Sequence, residues 1–169
     1  MQFAPVEIVG HAVETLSFSS LLEIHKDLKE LFLEHQEALL DGDLIQAGHR
    51  LEEFERTLLD HMRKEEDLLL PVYERAGAIP GGPPVLFTGE HKRMRELLAG
   101  FKQALSSLEQ NPGGRKRGIL ALLDRQATFK NLMEHHDLRE ANILFPALDR
   151  VTSAAERREI LARCGADPS

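Results

Sequence analysis

At 169 residues the chain is long enough for one domain with a real core and little more. Its 42% hydrophobic and 29% charged residues exclude a disordered or membrane-embedded class, and a formal net charge of −7 without a long basic stripe argues against nucleic acid as the main partner. The single cysteine, Cys164, excludes an intramolecular disulfide and a thiolate cluster; with no apolar spanning run and no basic-then-apolar leader, the expected setting is a reducing cytoplasm, with no membrane contact.

Residues 1–16, with Pro5 and Gly10, read as an irregular N-terminal arm. A first helix is predicted from Ser17 to Leu40, ending at Asp41-Gly42-Asp43, where Asp43 can cap the next. A second helix spans Leu44 to Arg75, bent near Pro71, which lacks a backbone donor. The Gly77–Pro84 stretch, with Pro80-Gly81-Gly82-Pro83-Pro84, is a loop. A third helix runs from Thr88 to Gln110 and stops at Asn111-Pro112-Gly113-Gly114; a fourth covers Arg115 to Arg150. A short fifth begins at Ser153, three residues before Glu156 in capping-box spacing. The expected fold is all-α: an up-down-up-down antiparallel four-helix bundle at residues 17–150, preceded by the arm and followed by a short helix and tail at 151–169.

Apolar residues recur in alternating steps of three and four, as expected of inward-facing seams. The first helix gives Phe18, Leu21, His25, Leu28, Phe32, His35 and Leu39; the second gives Leu44, Ala47, Leu51, Phe54, Leu58, His61, Glu65, Leu68 and Val72. The third gives His91, Met94, Leu98, Phe101, Leu105 and Leu108; the fourth gives Ile119, Leu122, Gln126, Phe129, Met133, His136, Glu140, Ile143 and Ala147. Buried imidazoles and carboxylates need partners, so something inside must satisfy these groups.

Two of the seams carry the same motif. His61-x-x-x-Glu65 precedes Pro71, and His136-x-x-x-Glu140 precedes Pro146, at an offset of 75 residues. Residues four apart on a helix leave the same face about one turn apart, so each pair can meet one metal ion. His25, His61, Glu65, His91, His136 and Glu140 together make a site suited to iron, manganese or zinc, with the two carboxylates able to bridge two ions. Against ~12 positions around two ions, these residues supply fewer, leaving room for an oxo or hydroxo bridge and an exogenous ligand. The Glu-x-x-His pattern of ferritin-like sites is absent, since Leu22, Phe32, Leu58, Thr88, Leu132 and Met133 stand three before the helical histidines; His-Glu-x-x-His is absent too. His35 reads as a core or end-of-bundle histidine, His135 as an exposed residue or one standing behind a ligand, and His11 and His49 lack supporting spacing. Glu66, Asp67 and Glu90 read mainly as a solvated face, any of which can orient a ligand histidine. Tyr73 reads as a packing residue, and Gln126 as a hydrogen-bonding group across the bundle.

Glu23-Ile24-His25-Lys26-Asp27-Leu28, His61-x-x-x-Glu65 with Leu68-Leu69-Leu70-Pro71, Glu90-His91, and His136-x-x-x-Glu140 with Ile143-Leu144-Phe145-Pro146 together resemble the hemerythrin-like HHE cation-binding family over roughly residues 17–150. The resemblance implies a non-haem di-iron centre with terminal histidines and bridging carboxylates. Oxygen-carrying hemerythrins use a further histidine and a final aspartate where this chain has His136-x-x-x-Glu140. The chain is closer to the four-histidine, two-glutamate branch associated with nitrosative stress and repair of iron centres, which argues against reversible oxygen transport. The expected function is binding or sensing of O₂ or NO, or iron handling under oxidative or nitrosative stress. The alternatives are a di-iron oxidase or peroxidase-type enzyme acting on peroxide, and a metal-stabilised interaction module.

Overall fold

The structure, a computed structural model, describes residues 16–166. The predicted arm, Leu16 aside, and His11 lie outside the described residues. All regular structure among the described residues is helical. A 3-10 turn, Phe18–Leu22, leads into α1, Glu23–Leu40; the remaining helices are α2, Leu44–Lys64, α3, Leu70–Tyr73, α4, Pro84–Gln110, α5, Arg115–Arg139, α6, Phe145–Val151, and α7, Ala154–Cys164. A π turn, Glu65–Leu69, joins α2 to α3, and a second, Glu140–Leu144, joins α5 to α6.

Local chemistry sets most boundaries where expected. Asp43 accepts the Gln46 amide at 2.9 Å and Ser153 Oγ accepts the Glu156 amide at 3.2 Å, so both predicted caps form. Gly165 closes α7 in the left-handed conformation at φ 85°, a backbone state that favours glycine. The first predicted helix begins as a 3-10 turn, with Ser17 Oγ accepting the Ser19 amide and donating to Asp149 of α6 at 2.6 Å. The third predicted helix starts at Pro84 rather than Thr88, because proline at the first helical position needs no amide partner and arrives with helical φ. In the loop before it, a Cβ on Gly82 would stand 2.5 Å from Ile143 and 2.6 Å from the Tyr73 hydroxyl, so only glycine fits.

The expected bend at Pro71 takes a different form. Instead of breaking, the helix widens for one turn, and the Leu70 amide bonds to the Glu65 carbonyl five residues back. Before Pro146, the Phe145 amide bonds to the Glu140 carbonyl in the same way. The extra residue turns each seam by about 100°, one helical step. Beyond Glu65 the buried residues are therefore Leu69, Leu70 and Tyr73, not the predicted Leu68 and Val72, which are half-buried. Beyond Glu140, Leu144 and Leu148 are fully buried, and the predicted Ile143 is only half-buried, though Ala147 stays inside.

The core is divided in two. One apolar cluster runs from Leu28 and Phe32 of α1 through Phe54 and Leu58 of α2, Met94 and Phe101 of α4, and Phe129 and Met133 of α5. Within it Phe32, Phe54, Phe101 and Phe129, one from each long helix, stack at centroid distances of 4.8 to 6.4 Å. Each buried phenylalanine contributes about 1.5–3 kcal/mol through area alone. The second cluster holds Phe18, Leu69, Tyr73, Phe87, Leu144 and Leu148, with Ile160 and Leu161 of α7 closing its end. On α1, α2, α4 and α5 alike, the chain passes between the clusters through a polar layer of histidine and glutamate.

Candidate metal centre

That layer contains all six predicted residues. His25 comes from α1, His61 from the last turn of α2, Glu65 from the first π turn, His91 from α4, His136 from α5, and Glu140 from the second π turn. The structure brings them together in two overlapping groups, His25, His61, Glu65 and Glu140, and Glu65, His91, His136 and Glu140; within each, potential ligand atoms lie within 4.8 Å of one another. The groups share both glutamates.

The division of oxygens is regular. Glu65 aims Oε1 at His61 Nε2, 3.1 Å away, and Oε2 at His91 Nε2, 3.2 Å away. Glu140 aims Oε2 at His25 Nε2, 3.0 Å away, and Oε1 at His136 Nε2, 2.9 Å away. Within each histidine pair the two Nε2 atoms stand 3.2 Å apart.

The outer ring nitrogens decide what these inner atoms carry. Nδ1 of His91 donates to Glu66 Oε1 at 2.8 Å, and Nδ1 of His136 donates to Glu90 Oε2 at 2.9 Å. Arg95 holds Glu66 at 2.9 Å, and Arg139 grips Glu90 through Nε and a terminal nitrogen at 3.2 and 3.0 Å. Burial alone would raise both outer carboxyls, but their histidine and arginine bonds outweigh it and hold them below the ordinary carboxylate range. Both therefore accept only, and each neutral imidazole must spend its proton on Nδ1. Nε2 is then a lone pair directed at a carboxylate oxygen.

The donor set fits a cation for that reason. Among the described residues, all four oxygens of Glu65 and Glu140 are buried without a hydrogen-bond partner, as is His25 Nδ1. Converging lone pairs and carboxylates repel unless positive charge lies between them, and uncompensated buried charge is strongly destabilising. Without a metal, protons supply that charge. Burial lowers the pKa of His136, yet Glu140 at close range, with Glu65 and Glu90, holds it well above the ordinary histidine value. His25 is raised in the same way, its burial outweighed by Glu140, Asp137 and Glu65. Glu65 is pushed up by burial but brought well below its usual range by His61, His136 and His91.

The remaining polar candidates sort cleanly. His35 is fully buried, donating from Nδ1 to the Ala47 carbonyl at 2.7 Å and accepting from Gln126 at 2.8 Å, so it is a core histidine and Gln126 bonds across the bundle as expected. His49 and His135 are exposed. Tyr73 packs edge-on against Phe87 and donates to the Gly82 carbonyl at 2.7 Å. Glu66 and Glu90 are more than a solvated face. Their adjacency to Glu65 and His91 was the available signal, and Arg95 and Arg139 as their anchors had none.

A helical bundle with a layer of histidines and shared carboxylates defines the class: a protein built to hold cations between its helices. A family model described as the hemerythrin HHE cation binding domain matches residues 17–148, and the chain belongs to that family. No curated protein and no solved structure matches the chain. No helix among the described residues is long and apolar enough to cross a membrane.

Proposed function

We propose that this protein is a non-haem di-iron protein, with zinc and manganese as the alternative metals, that binds or senses O₂ or NO, or handles iron under oxidative or nitrosative stress. His25 and His61 would be the terminal ligands of one ion, His91 and His136 those of the other, and Glu65 and Glu140 would bridge them. The observation that carries this reading is the division of each glutamate between the two histidine pairs, one oxygen to each. Two iron ions would supply redox change and open coordination positions for a small diatomic ligand or peroxide. The chain's own part is to direct the imidazoles and carboxylates into one layer, orient His91 and His136 through Glu66 and Glu90, and exclude bulk water with two apolar layers.

The same proposal takes residues 17–150 as an up-down-up-down antiparallel four-helix bundle, because α1 and α4 enter the layer from the Phe18 and Phe87 side while α2 and α5 enter from the Phe54 and Phe129 side. Residues 151–169 are then an appended helix and tail, and the setting is cytoplasmic.

The test is metal analysis joined to an optical spectrum. Protein made in iron-rich medium should carry about two irons per chain, with an absorption band that responds to reductant or NO. A colourless protein holding only zinc would sink the iron reading. A second reading, a peroxide-consuming or oxidase-type enzyme, is favoured by a cleft of about 680 Å³ beside His61; sustained peroxide turnover by the iron-loaded protein separates it from a sensor.

A further inference from the structure

The arginines behind the two outer carboxylates differ in reach. Arg95 donates to Glu66 alone among the described residues. Arg139 divides its guanidinium between two partners. Nε and one terminal nitrogen donate to Glu90 Oε1, and the other terminal nitrogen donates to the Gly81 carbonyl at 2.9 Å. A guanidinium carries its donors in a rigid planar fork, so the two acceptors it joins are held in one geometry.

Gly81 belongs to a tight turn. The Gly82 amide donates to the Ile79 carbonyl at 3.1 Å, with Pro80 and Gly81 between them and Gly81 at φ 77°. Proline suits the first central position of such a turn, and a positive φ at the second suits glycine. The turn is seated from the inside. Tyr73 donates to the Gly82 carbonyl at 2.7 Å, and buried Gly82 lies against Ile143 of the second π turn. Pro80, Gly81 and Pro83 are exposed. An unbroken run of bonds therefore leads from the polar layer to the surface: His136 to Glu90, Glu90 to Arg139, and Arg139 to Gly81. Among the described residues the corresponding run from His91 ends at Arg95.

A surface segment responds to a buried ion only if something physical carries a difference between the occupied and empty states. A cation at His136 Nε2 would pin the ring at the inner end of this run. Glu90 and Arg139 then have less freedom left to lose when the turn closes on the guanidinium, so closure costs less.

Resting on the cation-binding reading above, we propose that Arg139 is a positioning residue with two duties: it fixes Glu90, and through it the His136 ring, and it fastens the Ile79–Gly82 turn, so that a bound cation tightens this surface turn and its release loosens it. The state of the buried centre is thereby displayed on the outside of the protein.

The experiment follows Co²⁺ binding to the metal-free full chain by visible absorption, and amide exchange of residues 77–83 with and without Co²⁺ by mass spectrometry. Far-ultraviolet circular dichroism confirms folding. In the unaltered chain Co²⁺ should slow exchange of the segment at least about 5-fold. Arg139→Gln should weaken Co²⁺ binding about 10-fold and abolish the slowing. Arg139→Lys keeps the charge but cannot span Glu90 and Gly81, so it should recover part of the affinity while the slowing stays lost. It supplies the same exchange comparison if the glutamine variant does not fold. Arg95→Gln should also weaken binding about 10-fold, yet keep the slowing. Exchange unaffected by Co²⁺ in the loaded unaltered chain, slowing that persists in folded Arg139 variants, or slowing lost equally in Arg95→Gln would each overturn the coupling while leaving cation binding intact. Folded unaltered protein that takes up no Co²⁺ would overturn the cation-binding reading and the coupling with it.

Discussion

Glu65 and Glu140 meet in one polar layer, and each opens a π turn whose closing amide bonds to that glutamate's own carbonyl. The two carboxylates thus sit at equivalent points of a backbone device used twice. The device lets each helix pass its proline and turns the following apolar residues inward by one position. Its geometry makes the carboxylates and the second core interdependent.

The slipped seam has a direct mutational signature. Leu69→Ala and Leu144→Ala remove fully buried side chains and should each cost about 2–5 kcal/mol. Leu68→Ala and Ile143→Ala, at the half-buried neighbouring positions, should cost clearly less. Urea unfolding midpoints of the four variants provide the comparison; equal losses within each pair would contradict the slip.

The bridging division makes a prediction about stoichiometry. Glu65→Gln or Glu140→Gln keeps shape but removes the charge shared by both histidine pairs. Each variant should fall from two ions per chain to one at most. Elemental analysis after equilibrium dialysis measures this, and two retained ions in either variant would rule out a shared carboxylate.

The pH dependence of metal stabilisation follows from the raised histidines. A histidine with a raised folded pKa contributes stability that is complete below its unfolded value of about 6.5 and is lost as pH rises through the folded value. For His25 and His136 that places the loss of metal-free stability above about 6.5. Metal binding instead releases those protons and strengthens with pH. The rise in melting temperature on adding metal should therefore grow from mildly acidic to mildly alkaline buffer, and acidification should release metal. A rise independent of pH would exclude proton competition at these rings.

His35 works with the opposite sign. Burial holds its pKa below the ordinary histidine value, against the pull of the Ala47 carbonyl. The unfolded chain takes up a proton there first, so stability is present above about 6.5 and falls as pH drops below it towards the folded value. The bonds run one way, Lys130 donating to Gln36, Gln36 to Gln126, Gln126 to His35 and His35 to Ala47. A second proton on His35 reverses the last side-chain link. In metal-free protein His35→Gln should flatten the acid side of the stability curve, measured as the difference from the unaltered chain at each pH. An unchanged slope would show that His35 does not carry it.

The inward residues up to Glu65 and Glu140 were legible because helical periodicity is local: His25, Phe32, His91 and Phe129 fall where steps of three and four place them. The caps at Asp43 and Ser153 were legible for the same reason. The π turns were not, since one inserted residue changes no composition and Pro71 and Pro146 fit a bend as well as a widened turn. Nor was the support behind His91 and His136. Which carboxylate reaches an outer nitrogen depends on the rotation of neighbouring helices, and Glu66 and Asp67 are indistinguishable until α4 is packed beside them.

The charged layer between two dry cores bears on how the protein comes apart. Neither core can open far without admitting water to the glutamates and histidines between them, and the chain runs through both along each long helix and the turn that continues it. With cations bound, the layer ties the cores into one cooperative unit; stripped of them it is the weakest cross-section of the molecule. Amide exchange should then divide into two regions of unequal protection, meeting at Glu65 and Glu140.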